Sequence, residues 1–223
     1  EDDEICYVDA DPEPSDAKDF VLRVPEVPGP IFEVGVRLNE DVAFDLDHVS
    51  WRGNPNVTFE RPKHKGVMWR RAWVDAVDQL LGWSEMFRLV QNEGLGMISQ
   101  GTREWTDYTV SADVTPHLVS LAGVAARVQG LTRFYALVVT REQKVRLLKF
   151  LHEETVIAET DFHWSFGDTL EMTLSVIEDR LVGSINGQTL LTAHDSALDA
   201  GAVGLVVADG RSATHKIRVS SPD

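Results

Sequence analysis

The sequence predicts an all-β fold, an antiparallel β-sandwich or jelly roll. Short runs of alternating polar and apolar residues recur along the chain, turn-forming residues separate them about every 8 to 12 residues, and helical spacing is rare. Asn186-Gly187 lies between two apolar runs and indicates a tight hairpin, because both residues tolerate the positive φ of a type I′ turn. Glu178-Asp179 indicates a second hairpin.

Residues 101–151 show the strand pattern most clearly. Polar and apolar residues alternate over residues 108–114 and again over residues 123–129, which is typical of strands with one buried face and one solvent-exposed face. Residues 133–139 are aromatic and β-branched, so this run is expected to pair with the strand before it. We therefore predict adjoining strands of one sheet across this stretch.

Four polar side chains are expected on the exposed face of that sheet. Arg127 and Gln129 occupy alternate positions of one strand, Arg133 begins the next, and strand pairing would bring Tyr135 near Arg127. Planar hydrogen-bond donors beside an aromatic ring suit a ligand that is rich in hydroxyl groups. We predict these four as ligand-binding residues. The alternative is a solvated sheet face that another domain shields.

The charge of the chain argues against nucleic acid as a partner. Its 223 residues carry a formal net charge of -15, whereas phosphate groups need Lys and Arg to neutralise them. No apolar run approaches the roughly 20 residues that cross a bilayer, so no membrane insertion is expected. The single cysteine, Cys6, excludes an internal disulfide and leaves the compartment open between a cytoplasmic location, which it favours, and a secreted one.

The sequence predicts two parts with a boundary near residue 62. Residues 1–19 form an acidic lead-in with nine Asp or Glu and one Lys, and strand-like runs follow up to residue 51. Residues 1–62 contain too few strands to bury two sheet faces, so we expect a partial N-terminal β module there. Residues 63–223 are expected to form the sandwich. Because the chain starts at Glu1 without a methionine, we expect a fragment.

Residues 67–100 leave two interpretations open at their centre. Residues 73–83, WVDAVDQLLGW, fit helical spacing about as well as a strand followed by a loop, and the β-rich surroundings favour the strand and loop. FRLVQN and GLGMIS are predicted as two separate strands, with residues 92–96 supplying the turn between them.

Four segments carry a resemblance to known proteins: GTREWTDYTVSADVTP, AGVAARVQGLTRFYALVV, SINGQTLL and GAVGLVVADGR. Their order resembles the concanavalin-A-like, laminin-G-like jelly roll of carbohydrate-binding modules. Residues 67–220 are similar to the non-catalytic C-terminal region of some bacterial ADP-ribosylglycohydrolase-family proteins. In those proteins a galactose-binding-like module precedes this region, and PIFEVGVRLNEDVAFDLDHVSWRG resembles its last two strands.

The resemblance implies a non-catalytic accessory module that binds a carbohydrate or glycosyl-like ligand beside a catalytic domain outside this chain. Catalytic domains of the ADP-ribosylglycohydrolase family are helical and carry a Gly-Asp-containing motif with paired aspartates that bind magnesium. Neither that helical pattern nor that motif is expected here: Asp168 follows Gly167, but the neighbouring segment is a strand candidate rather than a helix. The resemblance therefore implies no catalytic residue and no cofactor in this segment.

Two other functions are compatible with the sequence. The sandwich could be a structural spacer or an oligomerisation surface, in which case the Arg127 face would be covered by residues 20–60 or by another chain. It could also be a sandwich-type glycoside hydrolase, which needs two carboxylates in one cleft. Glu104 and Asp107 are a candidate pair, but residues three apart on a strand point to opposite faces unless a bulge intervenes.

Metal binding is weakly indicated. Calcium prefers oxygen ligands, and Asp45, Asp47, Asp75 and Asp78 could supply some of them for a structural calcium ion, although their spacing is not that of an EF-hand. The seven histidines show no pair at helical or zinc-finger spacing, so zinc is not expected.

Aromatic residues are a further candidate for sugar binding. The chain has six tryptophans, and the apolar face of a sugar ring stacks on flat aromatic surfaces. Trp69, followed by Arg70 and Arg71, could form the rim of a groove and is predicted as a ligand-binding residue. Packing in the core is the alternative for each tryptophan.

Overall fold

The structure, a computed structural model, describes residues 21, 34–37, 43, 45, 47–51, 55–61, 68–81 and 85–222. This part of the chain is almost entirely antiparallel β-structure, which confirms the predicted all-β sandwich. A short 3-10 helix spans Met68–Ala72. The strands are β1 (Asn56–Glu60), β2 (Val74–Ala76), β3 (Gln79–Leu81), β4 (Phe87–Gln100), β5 (Tyr108–His117), β6 (Leu121–Gly130), β7 (Arg133–Thr140), β8 (Lys144–Leu151), β9 (Glu153–Asp161), β10 (Leu170–Ile177), β11 (Arg180–Ile185), β12 (Gln188–His194) and β13 (Ala202–Ser220).

Strand β13 connects the two halves of the sandwich. The strand order is β12-β11-β10-β5-β13-β6-β7-β8-β9. The first part of β13 pairs with β6 and its last part pairs with β5 and β1, while β4 runs beside it over most of its length. The two halves face each other, because a Cβ atom on Gly183 of β11 would lie 2.5 Å from Leu137 Cδ1 of β7.

The core between the halves follows the predicted alternation in β5 and β10. Every second side chain of β5 is buried, and β10 shows the same pattern. The buried positions are Tyr108, Val110, Ala112, Val114 and Pro116 in β5, and Leu170, Met172, Leu174 and Val176 in β10. Burial of each large aliphatic side chain contributes about 1.5–3 kcal/mol, so these two strands fix the register of this half of the sheet.

Strand β7 is buried on both faces, unlike the predicted strand with one exposed face. Leu137 points between the halves, whereas Phe134, Ala136 and Val138 point to the opposite side and are also fully buried. There they pack with Ala125 and Leu148 in a second apolar cluster. The physical reason is in the sequence of β7, RFYALVVT, whose two alternating sets of residues are both mainly apolar.

One predicted pair of strands is a single strand. FRLVQN and GLGMIS both belong to β4, and the expected turn at residues 92–96 is an irregularity within it, where Gly94 has a φ of 71°. Its partner β13 changes register between Ala208 and Gly210. The irregular part stays in the sheet because the Gly94 amide donates to Asp209 Oδ1 at 2.8 Å.

The two predicted hairpin turns are confirmed. Asn186 and Gly187 have φ values of 51° and 76° and form the turn between β11 and β12. Glu178 has a φ of 51° in the turn between β10 and β11. The strand interpretation of residues 73–83 is confirmed by β2 and β3, with residues 82–84 lying outside the described residues.

The chain divides into two compact units, residues 1–45 with 62–73 and residues 46–61 with 74–223. The acidic lead-in lies outside the described residues, and residues 34–37 and 47–51, which fall in predicted strands, have no regular secondary structure. Strand β1 precedes the predicted boundary at residue 62 and pairs with β13. Its five residues are therefore part of the sheet, while the boundary itself stays a prediction.

A helix that could span a lipid bilayer is not found among the described residues.

Candidate functional site

The four predicted sheet-face residues come together, but not on an open surface. Arg127 is 1% exposed and Tyr135 is 0% exposed, while Gln129 and Arg133 are half-buried. The expectation that Arg127 and Tyr135 are solvent-exposed is therefore wrong. The cause is the segment 195–201 between β12 and β13, to which three of the four side chains are hydrogen-bonded.

Arg127 is held by backbone carbonyl groups and one carboxylate. Its Nη1 donates to Leu198 O at 2.9 Å, its Nε to Thr106 O at 3.1 Å, and its Nη2 to Asp107 Oδ1 at 3.3 Å. Its own amide donates to the Tyr108 hydroxyl at 2.6 Å. The buried guanidinium has hydrogen-bond partners on several elements, so it connects β5, β6 and the segment 195–201.

Tyr135 anchors the start of the same segment. Its hydroxyl donates to Asp195 Oδ1 at 2.6 Å and accepts from the Leu198 amide at 3.1 Å. Lys149 Nζ donates to the other carboxylate oxygen of Asp195. Burial, followed by the hydrogen bond to Asp195, raises the pKa of the Tyr135 hydroxyl above its usual range.

Asp195 is the charged centre of this anchor. Burial alone would raise the pKa of its carboxyl group, but the hydrogen bonds from Lys149 and Tyr135 outweigh burial and hold the pKa below its usual range. The ionised form is therefore favoured by folding, and its contribution to stability is lost when the carboxylate is protonated.

We expect Asp195→Asn to lower the free energy of unfolding by about 2 kcal/mol near neutral pH, because the charge-assisted hydrogen bonds are lost. The folded pKa of Asp195 is lowered, so this difference from the wild type should be constant above the usual aspartate pKa of about 4 and shrink as the pH falls below it. Urea denaturation of both proteins at several pH values measures it. A difference that persists unchanged at low pH would contradict the role of the charge.

Gln129 and Arg133 extend the network along the segment 195–201. Gln129 Nε2 donates to Ala200 O at 2.9 Å, and Arg133 Nε donates to Gln129 Oε1 at 3.3 Å. The polar atoms of Gln129 are thus used within the protein, and the predicted hydroxyl-binding surface is a packed contact instead.

Trp69 is also buried, with 8% of its surface exposed in the 3-10 helix. The Arg70 guanidinium carbon lies 5.5 Å from the centre of the Trp69 ring, in cation–π range. The exposed aromatic rim predicted at Trp69 is therefore not present, since its ring is packed.

One member of the candidate carboxylate pair, Asp107, forms hydrogen bonds within the sandwich. Asp107 Oδ1 accepts hydrogen bonds from Arg127 and, at 2.7 Å, from the Glu178 amide. Asp107 thus joins β5 to the turn after β10, while Glu104 is exposed.

Within the described ranges, no group of three His, Cys, Asp or Glu side chains could hold a metal ion. Asp75 and Asp78 accept hydrogen bonds from the backbone amides of Val77 and Asn92.

An open groove of about 640 Å³ lies where β4, β5 and β13 meet. Its floor contains one row of the sheet, because Arg211 of β13 pairs with His117 of β5 on one side and with Val90 of β4 on the other. Residues that pair across strands share a face, so the three side chains lie beside one another. Arg211 is exposed, and it forms no ion pair within the part of the chain that the structure describes.

Phe166 forms an aromatic wall of the groove and is 45% exposed. Its ring meets Trp164 edge to face, with ring centres 5.3 Å apart and an interplanar angle of 85°. Trp164 is itself buried, and its Nε1 donates to Thr140 O at 3.0 Å. The Gly167 amide donates to Pro116 O at 2.8 Å. The exposed ring is thus held in place by a buried tryptophan and by a backbone hydrogen bond to β5.

Polar residues and Leu118 complete the groove. Asp209 accepts from the Gly94 amide, and Asn92 Nδ2 donates to Asp78 Oδ2 at 2.7 Å. Leu118 is 69% exposed at the turn after β5. The groove therefore combines an aromatic ring, an exposed aliphatic side chain and several planar hydrogen-bonding groups, which is the composition of a small-ligand site.

His117 is the titratable group on the groove floor. Burial lowers the pKa of its imidazole, Arg211 and Arg88 lower it further, and Glu85 only partly opposes them. Arg88 forms an ion pair with Glu85. The imidazole is therefore neutral near pH 7 and can offer one donor and one acceptor nitrogen.

The groove was not predicted from the sequence. Its residues come from β4, the end of β5 and the turn after it, the loop before β10 and the irregular part of β13. The nearest sequence signal was Trp164 and Phe166 close together before Gly167, which is typical of an aromatic pair at a turn.

Several solved structures share this fold. The carbohydrate-binding module CBM66 from Bacillus subtilis superposes with a TM-score of 0.63 at 19% sequence identity, covering 67% of this chain and 96% of that one. A Bacillus subtilis protein of unknown function with a galectin-like fold has a TM-score of 0.55 at 15% identity, covering 74% and 98%. The alginate lyase AlgAT5 of polysaccharide lyase family 7 has a TM-score of 0.52 at 10% identity, covering 69% and 96%.

These similarities show that the chain has a galectin-like jelly-roll fold, as the predicted resemblance to carbohydrate-binding modules implied. No protein-family model matches the sequence, and no curated protein matches it. The more specific resemblance to ADP-ribosylglycohydrolase-family proteins stays a prediction.

Proposed function

We propose that this chain is a carbohydrate-binding module and that a saccharide binds in the groove between Phe166 and Arg211. The observation that carries the proposal is the exposed Phe166 ring, fixed by Trp164, beside exposed and half-buried hydrogen-bonding side chains. The apolar face of a sugar ring stacks on an aromatic side chain while its hydroxyl groups bond to planar donors. The likeness to the CBM66 module along 96% of its length supports this proposal.

We expect Phe166→Ala to weaken saccharide binding by at least about tenfold, because an aromatic contact contributes on the order of 1 kcal/mol beyond its buried area. Isothermal titration calorimetry with a panel of neutral and acidic oligosaccharides, chosen by a glycan array, measures the dissociation constant. Trp51→Ala is the matched control, since Trp51 is 56% exposed and does not line the groove. Equal binding by Phe166→Ala and the wild type, or no binding to any saccharide, would refute the proposal.

The accessory role beside a catalytic domain outside this chain rests on the sequence resemblance. It is supported by the groove, where Asp209 alone among the described lining residues carries a carboxylate. A glycoside hydrolase needs two carboxylates about 5 to 10 Å apart in one cleft. An adjoining domain related to the ADP-ribosylglycohydrolases and a cytoplasmic location belong to the same proposal.

The alternative of a structural spacer gains no support from the burial of Arg127. That alternative predicted cover from residues 20–60 or from another chain. Arg127 instead donates hydrogen bonds to oxygen atoms of Thr106, Asp107 and Leu198, within the sandwich.

A further inference from the structure

The charged side chains around the groove differ in the partners that they have within the protein. Asp209, the carboxylate of the lining, accepts a hydrogen bond from the Gly94 amide at 2.8 Å. Glu85, whose charge acts on His117, is ion-paired with Arg88. Arg211 is exposed on the floor and forms no ion pair within the described part of the chain. Its guanidinium is therefore the cationic group among the described lining residues that remains available to an anionic group of a ligand.

The neighbours of Arg211 favour a planar anion. His117 lies directly beside it in the sheet and Val90 lies on its other side. A guanidinium binds a carboxylate through two parallel hydrogen bonds, and a neutral imidazole can add a third donor without adding charge. Hydroxyl groups can also bond to arginine, but they leave its charge uncompensated.

Starting from the proposed function, we infer that the saccharide is acidic: its ring contacts Phe166 and its carboxylate binds Arg211. The net charge of the chain is -15, so the protein as a whole repels anions and non-specific retention of acidic saccharides is not expected. Binding of an acidic saccharide must then come from a local cationic contact, which Arg211 provides at the groove floor.

The test compares tetrasaccharides of galacturonate, mannuronate, guluronate and glucuronate with their methyl esters, which keep the sugar rings and remove the charge. Calorimetry on the full chain should show at least one free acid bound about tenfold or more tighter than its ester. Arg211→Gln should remove this difference, whereas Arg211→Lys should keep part of it. Arg218→Gln is the control, because Arg218 is exposed on the same strand and lies outside the groove.

The outcomes separate the two proposals. If esters or neutral saccharides bind as tightly as the free acids, the acidic ligand is excluded while carbohydrate binding stands. If Arg211→Gln and Arg218→Gln behave alike, the contact between the carboxylate and Arg211 is excluded. If no saccharide of either kind binds, carbohydrate binding fails as well. Arg211 is exposed and outside the core, so thermal melting of Arg211→Gln should match the wild type and exclude misfolding as the cause.

Discussion

Arg127→Ala should lower the free energy of unfolding by about 3–5 kcal/mol, the loss expected when one partner of a buried charged network is removed. The carbonyl group of Leu198, a residue that is 1% exposed, would lose its guanidinium donor, and so would Asp107. Removal of the Arg127 side chain also leaves a cavity between β6 and the segment 195–201. Urea denaturation followed by tryptophan fluorescence measures the change.

Two further variants test the explanation. Arg133 is half-buried and its side chain donates one hydrogen bond within the described residues, to Gln129, so Arg133→Ala should cost less than about 1 kcal/mol. Arg127→Met fills much of the space and should recover only the cavity part of the loss, because the Leu198 carbonyl still lacks its donor. If Arg127→Ala cost no more than Arg133→Ala, the network would not hold the segment 195–201.

Features that depend on neighbouring residues could be predicted from the sequence. The hairpin at Asn186-Gly187 and the alternation in β5 depend on contacts within about ten residues, and both are confirmed. The all-β sandwich follows from many such local patterns together. Alternation, however, says only which residues share a face and not what covers that face.

The covering segment explains why the predicted exposure of Arg127 and Tyr135 was wrong. Gln129 and Tyr135 bond to residues 60 or more positions away in the chain. A polar side chain at an alternate strand position can therefore be solvent-exposed or bonded to a distant segment, and the period of the pattern is the same in both cases. The groove could not be predicted for a related reason, because its residues are distant in the sequence. It forms only when β13 brings the turn after β5 against β4.

Gly210→Ala should lower the free energy of unfolding by about 3 kcal/mol and weaken saccharide binding in the groove. A Cβ atom at this position would lie 2.1 Å from Leu118 O and 2.7 Å from Val119 Cα. These are backbone atoms, so no change of side-chain rotamer relieves the overlap, and the loss should reach the upper part of the range for overpacking. The turn that carries Leu118 must move away from β13, which displaces a wall of the groove beside Arg211.

Gly130→Ala provides the comparison for this prediction. Gly130 ends β6, and a Cβ atom there would meet nothing within 4 Å. Its substitution by alanine should be neutral or stabilise the protein by up to about 1 kcal/mol, because it restricts the unfolded chain. Denaturation and calorimetry with the same saccharide then separate the two effects of Gly210→Ala. Loss of stability with unchanged binding would place the saccharide away from Leu118 and would contradict the groove as the binding site.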